Sequence, residues 1–198
     1  MRRLIDIVVA ACGIAALFPL MLILALGVAL AMGRPVLFTQ MRVGKHGRAF
    51  WLVKFRTMTD ARDASGQLLS DQERTTWLGR LLRRTRLDEL PELWNVLTGD
   101  MSLIGPRPLL ETSFATQGIP GRVRASVRPG LTGWAQVNGN TLLSDEEKLA
   151  LDLWYTEHVS LLLDLKILMM TVGMLLGGER IDRRELRRAR ESNHRWRG

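Results

Sequence analysis

From Leu4 to Met32 every position is apolar except Asp6. At about 1.5 Å per residue, a helix over this stretch would reach roughly 40 Å, beyond the roughly 30 Å of a bilayer core. The run far exceeds the roughly 7–15 residues of a signal-peptide core. It also offers no Ala-x-Ala site followed by a plausible mature start, so it is expected to stay in the membrane. Pro19, near its middle, removes one helix hydrogen bond and clashes with the preceding turn. Arg2 and Arg3 precede the run, and Arg34, Arg42 and Lys45 follow it, so both flanks carry the cytoplasmic charge signature. A helix broken at Pro19 that enters and leaves by one face satisfies both flanks. A tilted span kinked at Pro19 is the alternative.

Beyond the apolar run the pattern shortens. Val36–Met41 and Ala49–Phe55 read as strands joined by the turn-rich Gly44-Lys45-His46-Gly47, a hairpin. Residues Thr59–Gln72 are polar and read as loop. Thr75–Arg84 predicts a basic amphipathic helix, and Leu90–Leu97 a short helix stopped by Gly99. Gly105–Pro108 is expected to be extended, and Pro120–Trp134, rich in Gly and Pro, to be loop. Ser144 with Glu147 three residues on is a capping box for a helix reaching about His158. Leu161–Leu176 is a second apolar helix, short for a span and carrying Asp164 and Lys166, expected to lie against the domain or in the interface. The arginine-rich segment from Glu179 reads as a solvated, partly helical or disordered tail, or as a headgroup contact. The expected fold is therefore α+β and mainly helical: a re-entrant membrane helix (1–33), a small catalytic domain with a β-hairpin and interfacial helices (34–178), and a basic C-terminal tail (179–198).

The 198 residues suit one domain plus a membrane element, and the net charge of +8 with a pI of about 10.9 suits an anionic partner. The apolar N-terminus favours acidic lipid, worth roughly 1 kcal/mol per nearby Lys or Arg, over nucleic acid. Cys12 is the only cysteine and lies inside the apolar run, so no intramolecular disulfide forms. His46, His158 and His194 are scattered and suggest no metal cage.

The densest polar constellation is Arg83-Arg84-Thr85-Arg86-Leu87-Asp88-Glu89-Leu90-Pro91-Glu92. Pro91 is tolerated only in a first helical turn, which predicts a helix starting near Asp88. Its first N–H groups and the neighbouring arginines would make an anion site. A carboxylate placed there can cap the helix, or it can attack phosphorus and form an aspartyl phosphate. The residues alone leave both roles open.

The run Arg86-Leu87-Asp88-Glu89-Leu90-Pro91-Glu92-Leu93, then Asn95, then Gly99-Asp100-Met101-Ser102-Leu103-Ile104-Gly105-Pro106-Arg107-Pro108, resembles the core of the monotopic phosphoglycosyl transferases, the bacterial sugar transferase family. Gln40–Gly44, Lys54–Met58, Arg128–Gly139, and then Asp152, Tyr155, Ser160, Asp164 and Lys166 resemble its other blocks, so that the similarity runs from about residue 1 to 176. The resemblance implies a re-entrant helix broken at Pro19, although Phe18 stands where many members have Ser. It implies a minimal catalytic form in the bacterial cytoplasmic membrane, monotopic, with its domain on the cytoplasmic face.

It further implies that Asp88 attacks the β-phosphate of a UDP-sugar, releases UMP and passes the sugar phosphate to undecaprenyl phosphate. Glu89 would be the adjoining acid, and Mg²⁺ is expected on Asp88 and Glu89 with substrate phosphate oxygens. Arg86, Arg84, Arg107 and Arg56 are candidate phosphate or nucleotide contacts, with Arg56 chosen over Lys54 on the view that only one of the two faces the site. Gln136 is a candidate substrate contact or a packing residue. Anionic membrane lipids are expected partners and nucleic acid is not; oligomeric state is not readable. Two readings compete: a polyprenol-phosphate glycosyltransferase that releases UDP, and a non-enzymatic basic membrane-surface protein, which leaves Asp88-Glu89 and Pro106-Arg107-Pro108 unexplained.

Overall fold

The computed structural model describes residues 1–192. Helix α1 (Arg2–Met32) leads into an antiparallel hairpin of β1 (Leu37–Val43) and β2 (Ala49–Phe55), with Leu37 opposite Phe55 and Val43 opposite Ala49. The hairpin loop is a 3-10 turn in which His46 and Gly47 take φ values of 58° and 76°. Then come α2 (Asp71–Arg74), α3 (Trp77–Thr85) and α4 (Glu92–Thr98), the last closed by Gly99 at φ 101°. Strand β3 (Ser102–Ile104) pairs in parallel with β4 (Gly130–Thr132) across the crossover helices α5 (Glu111–Ala115) and α6 (Gly118–Arg124). The chain finishes with α7 (Trp134–Val137), α8 (Asp145–Glu157), α9 (Leu161–Gly177) and α10 (Arg183–Ser192).

The fold is thus the expected mainly helical α+β. The hairpin falls where the alternating runs put it, and Ser144 and Glu147 form the capping box of α8. Three expectations change. First, α1 runs unbroken through Pro19. A proline removes one rung and disturbs one turn, but the hydrogen-bond ladder on either side is intact, so helix persists where two separate helices were expected. Second, Gly118–Arg124 is helical rather than loop, because Pro120 lies in the first turn of α6, where its missing N–H has no partner to lose. Third, the basic segment is helical, as one reading allowed, but it is not a solvated tail: α10 packs on the domain, with Leu186 and Ala189 buried against α8 and Arg190 paired to Glu147 at 2.8 Å. Residues 193–198 of the expected tail lie outside the described residues.

One face of α1 packs on the rest of the chain with helical spacing. Arg2 donates to Tyr155 Oη (2.6 Å) and Asp164 (2.9 Å), and Arg3 to the carbonyls of Val96 and Leu97 (2.6 and 2.9 Å), which end α4. Buried Asp6 accepts from Ser102 Oγ and from the Leu103 N–H on β3. Ala10 enters the main core, whose largest fully buried side chains include Trp134, Tyr155, Met101 and Leu151. At the other end Val28 and Met32 pack with Phe55 and Leu82. Both ends of α1 therefore rest on the same domain. The opposite face exposes Leu4, Val8, Leu22, Leu26 and Leu30. By length and a mean hydropathy of 2.8, α1 is the one helix among the described residues able to cross a membrane. Helix α9 buries Asp164 and Ile167 and exposes Leu162, Met169 and Leu176, so it both packs on the domain and presents an apolar face.

Candidate active site

Helix α3 ends at Arg86, a left-handed residue (φ 60°, ψ 15°) whose N–H caps the helix. Asp88 and Glu89 follow in a single 3-10 turn, Leu87–Glu89, and α4 begins only at Glu92. The expected helix start near Asp88 is thus displaced: Pro91 is the N-cap of α4, and the two carboxylates sit on the tight turn before it. Helix α3 comes close to the chain leaving β2, where a Cβ on Gly79 would fall 1.9 Å from the Thr57 carbonyl oxygen. That approach lets Arg83 donate to Thr57 Oγ1 at 3.0 Å.

The turn borders a cleft of about 1080 Å³. Arg42, Lys54 and Arg56 line it from the hairpin side, and Arg83, Arg84 and Arg86 from the end of α3. Arg107, Arg124, Gln136 and Asp152 line it from the later elements. All the expected site residues thus meet at one cavity, but their roles separate.

Glu89 is clamped: its Oε1 lies 2.8 Å from Arg107, 2.9 Å from Lys54 and 3.6 Å from Arg86. Burial alone would push its carboxyl up, but Arg107, Lys54 and Arg86 together bring it down to about 2. Glu92 lies behind Lys54, 3.0 Å from its ammonium, and burial reinforced by the charge on Glu89 pushes it up to about 7. Asp88 differs from both. It is 8 % exposed and, among the described residues, makes no ion pair. Burial and then the neighbouring Glu89 raise its carboxyl above the ordinary range. A buried carboxylate with no paired cation keeps its lone pairs available, as an attacking group requires.

Arg107, its side chain 43 % exposed, points from between two prolines to Glu89. Its carbonyl accepts at 2.6 Å from Arg124, which also donates at 2.8 Å to fully buried Asp152. The Arg124–Asp152 pair therefore sets the backbone that aims Arg107. Arg84 is exposed at the cleft wall, and among the described residues it has no hydrogen bond or ion pair.

Arg56 borders the cleft as expected, but choosing it over Lys54 is corrected. Its guanidinium donates to the carbonyls of Met32, Arg34 and Met58 and pairs with Asp60, tying the exit of α1 to the hairpin, while Lys54 takes the place beside the carboxylates. Positions two apart on a strand share a face, so both side chains reach the cleft. Gln136 is buried and donates to the Leu131 carbonyl at 3.0 Å. Lys54 and the Arg124–Asp152 pair were missed as site residues; the same-face rule would have recovered Lys54, but nothing local pairs Arg124 with Asp152, and Glu92, quoted in the polar run, stands behind Lys54 outside the cleft.

Among the described residues no three His, Cys, Asp or Glu side chains gather into a metal cage. The adjacent carboxylates of Asp88 and Glu89 fit a cation that takes one or two protein oxygens and completes its shell with water and phosphate, the habit of Mg²⁺.

A membrane-compatible helix docked on a small domain whose cleft sets two carboxylates among arginines suits an enzyme acting on phosphorylated substrates. The comparisons with known proteins agree: residues 1–178 match the family described as Bacterial sugar transferase, and the chain belongs to that family. It is 47 % identical over 181 residues to an uncharacterised sugar transferase of Bacillus subtilis, covering 91 % of this chain and 90 % of that protein. It is 41 % identical over 185 residues to a UDP-glucose:undecaprenyl-phosphate glucose-1-phosphate transferase of Caulobacter vibrioides, covering 88 % and 69 %. It is also 41 % identical over 186 residues to a UDP-N-acetylgalactosamine-undecaprenyl-phosphate N-acetylgalactosaminephosphotransferase of Aeromonas hydrophila. That alignment covers 89 % of this chain but only 44 % of the longer relative.

Proposed function

We propose that this protein transfers a sugar 1-phosphate from a UDP-sugar to undecaprenyl phosphate through a covalent intermediate on Asp88, with release of UMP. The observation that carries the reading is the contrast inside one turn. Glu89 is locked by two cations within 3 Å, whereas Asp88, equally buried, makes no ion pair among the described residues and borders the same cleft. Relatives that bear this chemistry in their names support the class of reaction.

In the first step a carboxylate oxygen of Asp88 attacks the β-phosphorus. The bond from that phosphorus to the bridging oxygen breaks, and UMP leaves with the bonding electrons. In the second step an oxygen of undecaprenyl phosphate attacks the same phosphorus and Asp88 departs as a carboxylate, which regenerates the enzyme and gives undecaprenyl diphosphate sugar. Splitting one transfer into two displacements is the benefit of the covalent route. Arg107 and Arg86, held on Glu89, offer guanidinium donors to the phosphate oxygens, and exposed Arg84 adds a third at the rim. Mg²⁺, when bound on Asp88 and Glu89, would neutralise charge on the diphosphate and on departing UMP. Burial raises the proton affinity of Asp88 and so its strength as a nucleophile.

The enzyme is proposed to be monotopic, with both ends of α1 held at the cytoplasmic face of the bacterial inner membrane. The support is that Arg2, Arg3 and Asp6 at one end of α1, and Met32 and Arg34 at the other, all bond to the same domain. Anionic lipids would meet the basic surface.

The test is Asp88→Asn in full-length protein. Turnover should fall below about one part in a hundred of wild type, because an amide oxygen does not replace a carboxylate as nucleophile. Donor alone should add the mass of a sugar phosphate to the wild type and nothing to the variant. Turnover retained in the variant, or UDP rather than UMP as product, refutes the route.

A further inference from the structure

Glu179 is one residue beyond the segment that matches the family, yet it borders the cleft. Its carboxylate collects donors from two separate segments. Arg86 Nη2 stands 3.2 Å from Oε1, Asn140 Nδ2 donates to the same oxygen, and the Thr141 N–H (3.1 Å) and hydroxyl donate to Oε2. Two of the three partner residues, Arg86 (φ 60°) and Asn140 (φ 47°), are left-handed non-glycine residues, a backbone state that persists only where surrounding contacts fix it. The seat of Glu179 is itself built. The chain leaving α9 turns at Gly178 (φ 81°), and Asp182 donates its N–H to the Asn138 carbonyl at 3.3 Å, so residues 179–182 run along 138–141. Partial burial opposes the charge of Glu179, but its bonds to Thr141 and Asn140 and the nearby Arg86 hold its carboxyl below the ordinary range.

Arg86 immediately precedes the reacting turn, and its guanidinium is shared between Glu89 at 3.6 Å and Glu179 at 3.2 Å. A guanidinium held by Glu89 alone would swing about that single contact; two carboxylates on different segments fix its plane as well as its position. Resting on the transfer reaction proposed above, we propose that Glu179 is a positioning residue that holds Arg86 in place for the donor's diphosphate. The segment past α9 thereby becomes part of the donor site.

The experiment is a double-mutant cycle on full-length detergent-solubilised protein, with the dissociation constant of UDP in Mg²⁺ as the readout. Glu179→Gln keeps the size of the side chain and removes the charge. It should weaken UDP by about 10-fold, within the range measured for coupled neighbours. Glu179→Asp should recover part of the loss. In an Arg86→Gln background Glu179→Gln should cost nothing further, because the residue acts only through Arg86. Helical circular dichroism and melting temperature establish that each variant is folded. An unchanged UDP affinity in Glu179→Gln, or the same 10-fold loss on top of Arg86→Gln, overturns the assignment. Failure of the covalent route would appear separately, as UMP release by Asp88→Asn, and leaves this cycle readable.

Discussion

Replacing Glu92 by Gln should raise stability at alkaline pH and change it far less at pH 5. Glu92 is buried behind Lys54 and does not border the cleft. Burial, and then the charge on Glu89, push its carboxyl from its ordinary 4.5 up to about 7. Between those values the folded state keeps a proton that the unfolded chain has released, so stability falls as pH rises, and the whole cost is present above about pH 7. At about 1.4 kcal/mol per pH unit the gap amounts to at most about 3 kcal/mol. Glu89 works in a different window. Its carboxyl is brought down to about 2, so its contribution is complete above 4.5 and is lost only as pH falls toward 2. Buried Asp88 and Asp152, also raised, contribute to the decline of both proteins alike, so the difference between variant and wild type isolates Glu92. A glutamine cannot ionise and leaves Lys54 paired with Glu89 alone. For a chain of this size the variant should melt about 5–10 °C above wild type at pH 8, and the gap should shrink to about a quarter of that at pH 5. Thermal melts at one scan rate in one detergent at pH 5, 6.5 and 8 measure the difference. Parallel curves for the two proteins across that range would refute the reasoning.

Two further outcomes follow from the docking of α1. Asp6→Ala strands buried Ser102 Oγ and the Leu103 N–H, and should cost about 1–3 kcal/mol, read as a lower melting temperature with donor affinity preserved. Cysteine labels placed singly at residues 1 and 198 should both react with an impermeant reagent only from the cytoplasmic side, and a first residue labelled from the periplasm would sink the re-entrant topology.

What the chain reveals about itself depends on the range of the interaction that decides each element. The turn of the hairpin, the capping box of α8 and the glycine stop of α4 rest on residues within four or five positions of each other, and these the pattern of the chain announces. The turn carrying Asp88 and Glu89 is legible in the chain, but the helix beyond it begins at Glu92 and not near Asp88. Leu87–Glu89 hold a 3-10 turn behind left-handed Arg86, a geometry supported by Glu179 far along the chain. Lys54 and Arg56 share a strand face, and what sorts them is which partners the fold supplies: Glu89 and Glu92 for one, the carbonyls at the end of α1 for the other. Arg124 and Asp152 form a buried pair only because α6 and α8 pack together, which no spacing between them foretells.

The tethers at the start of α1 impose an order of events on biogenesis. Residues 2, 3 and 6 leave the ribosome before every one of their partners, which lie between Val96 and Asp164. The apolar helix is thus committed to its surroundings while its two arginines and its aspartate still have only solvent or lipid headgroups to bond. Its last tether, from Arg2 to Asp164, closes only when α9 is made. Contacts of such long sequence separation form late and slowly, so the first element to be made is among the last to be fully fastened, and a chain halted before Asp164 would hold its helix by Arg3, Asp6 and the Tyr155 hydroxyl alone at that end.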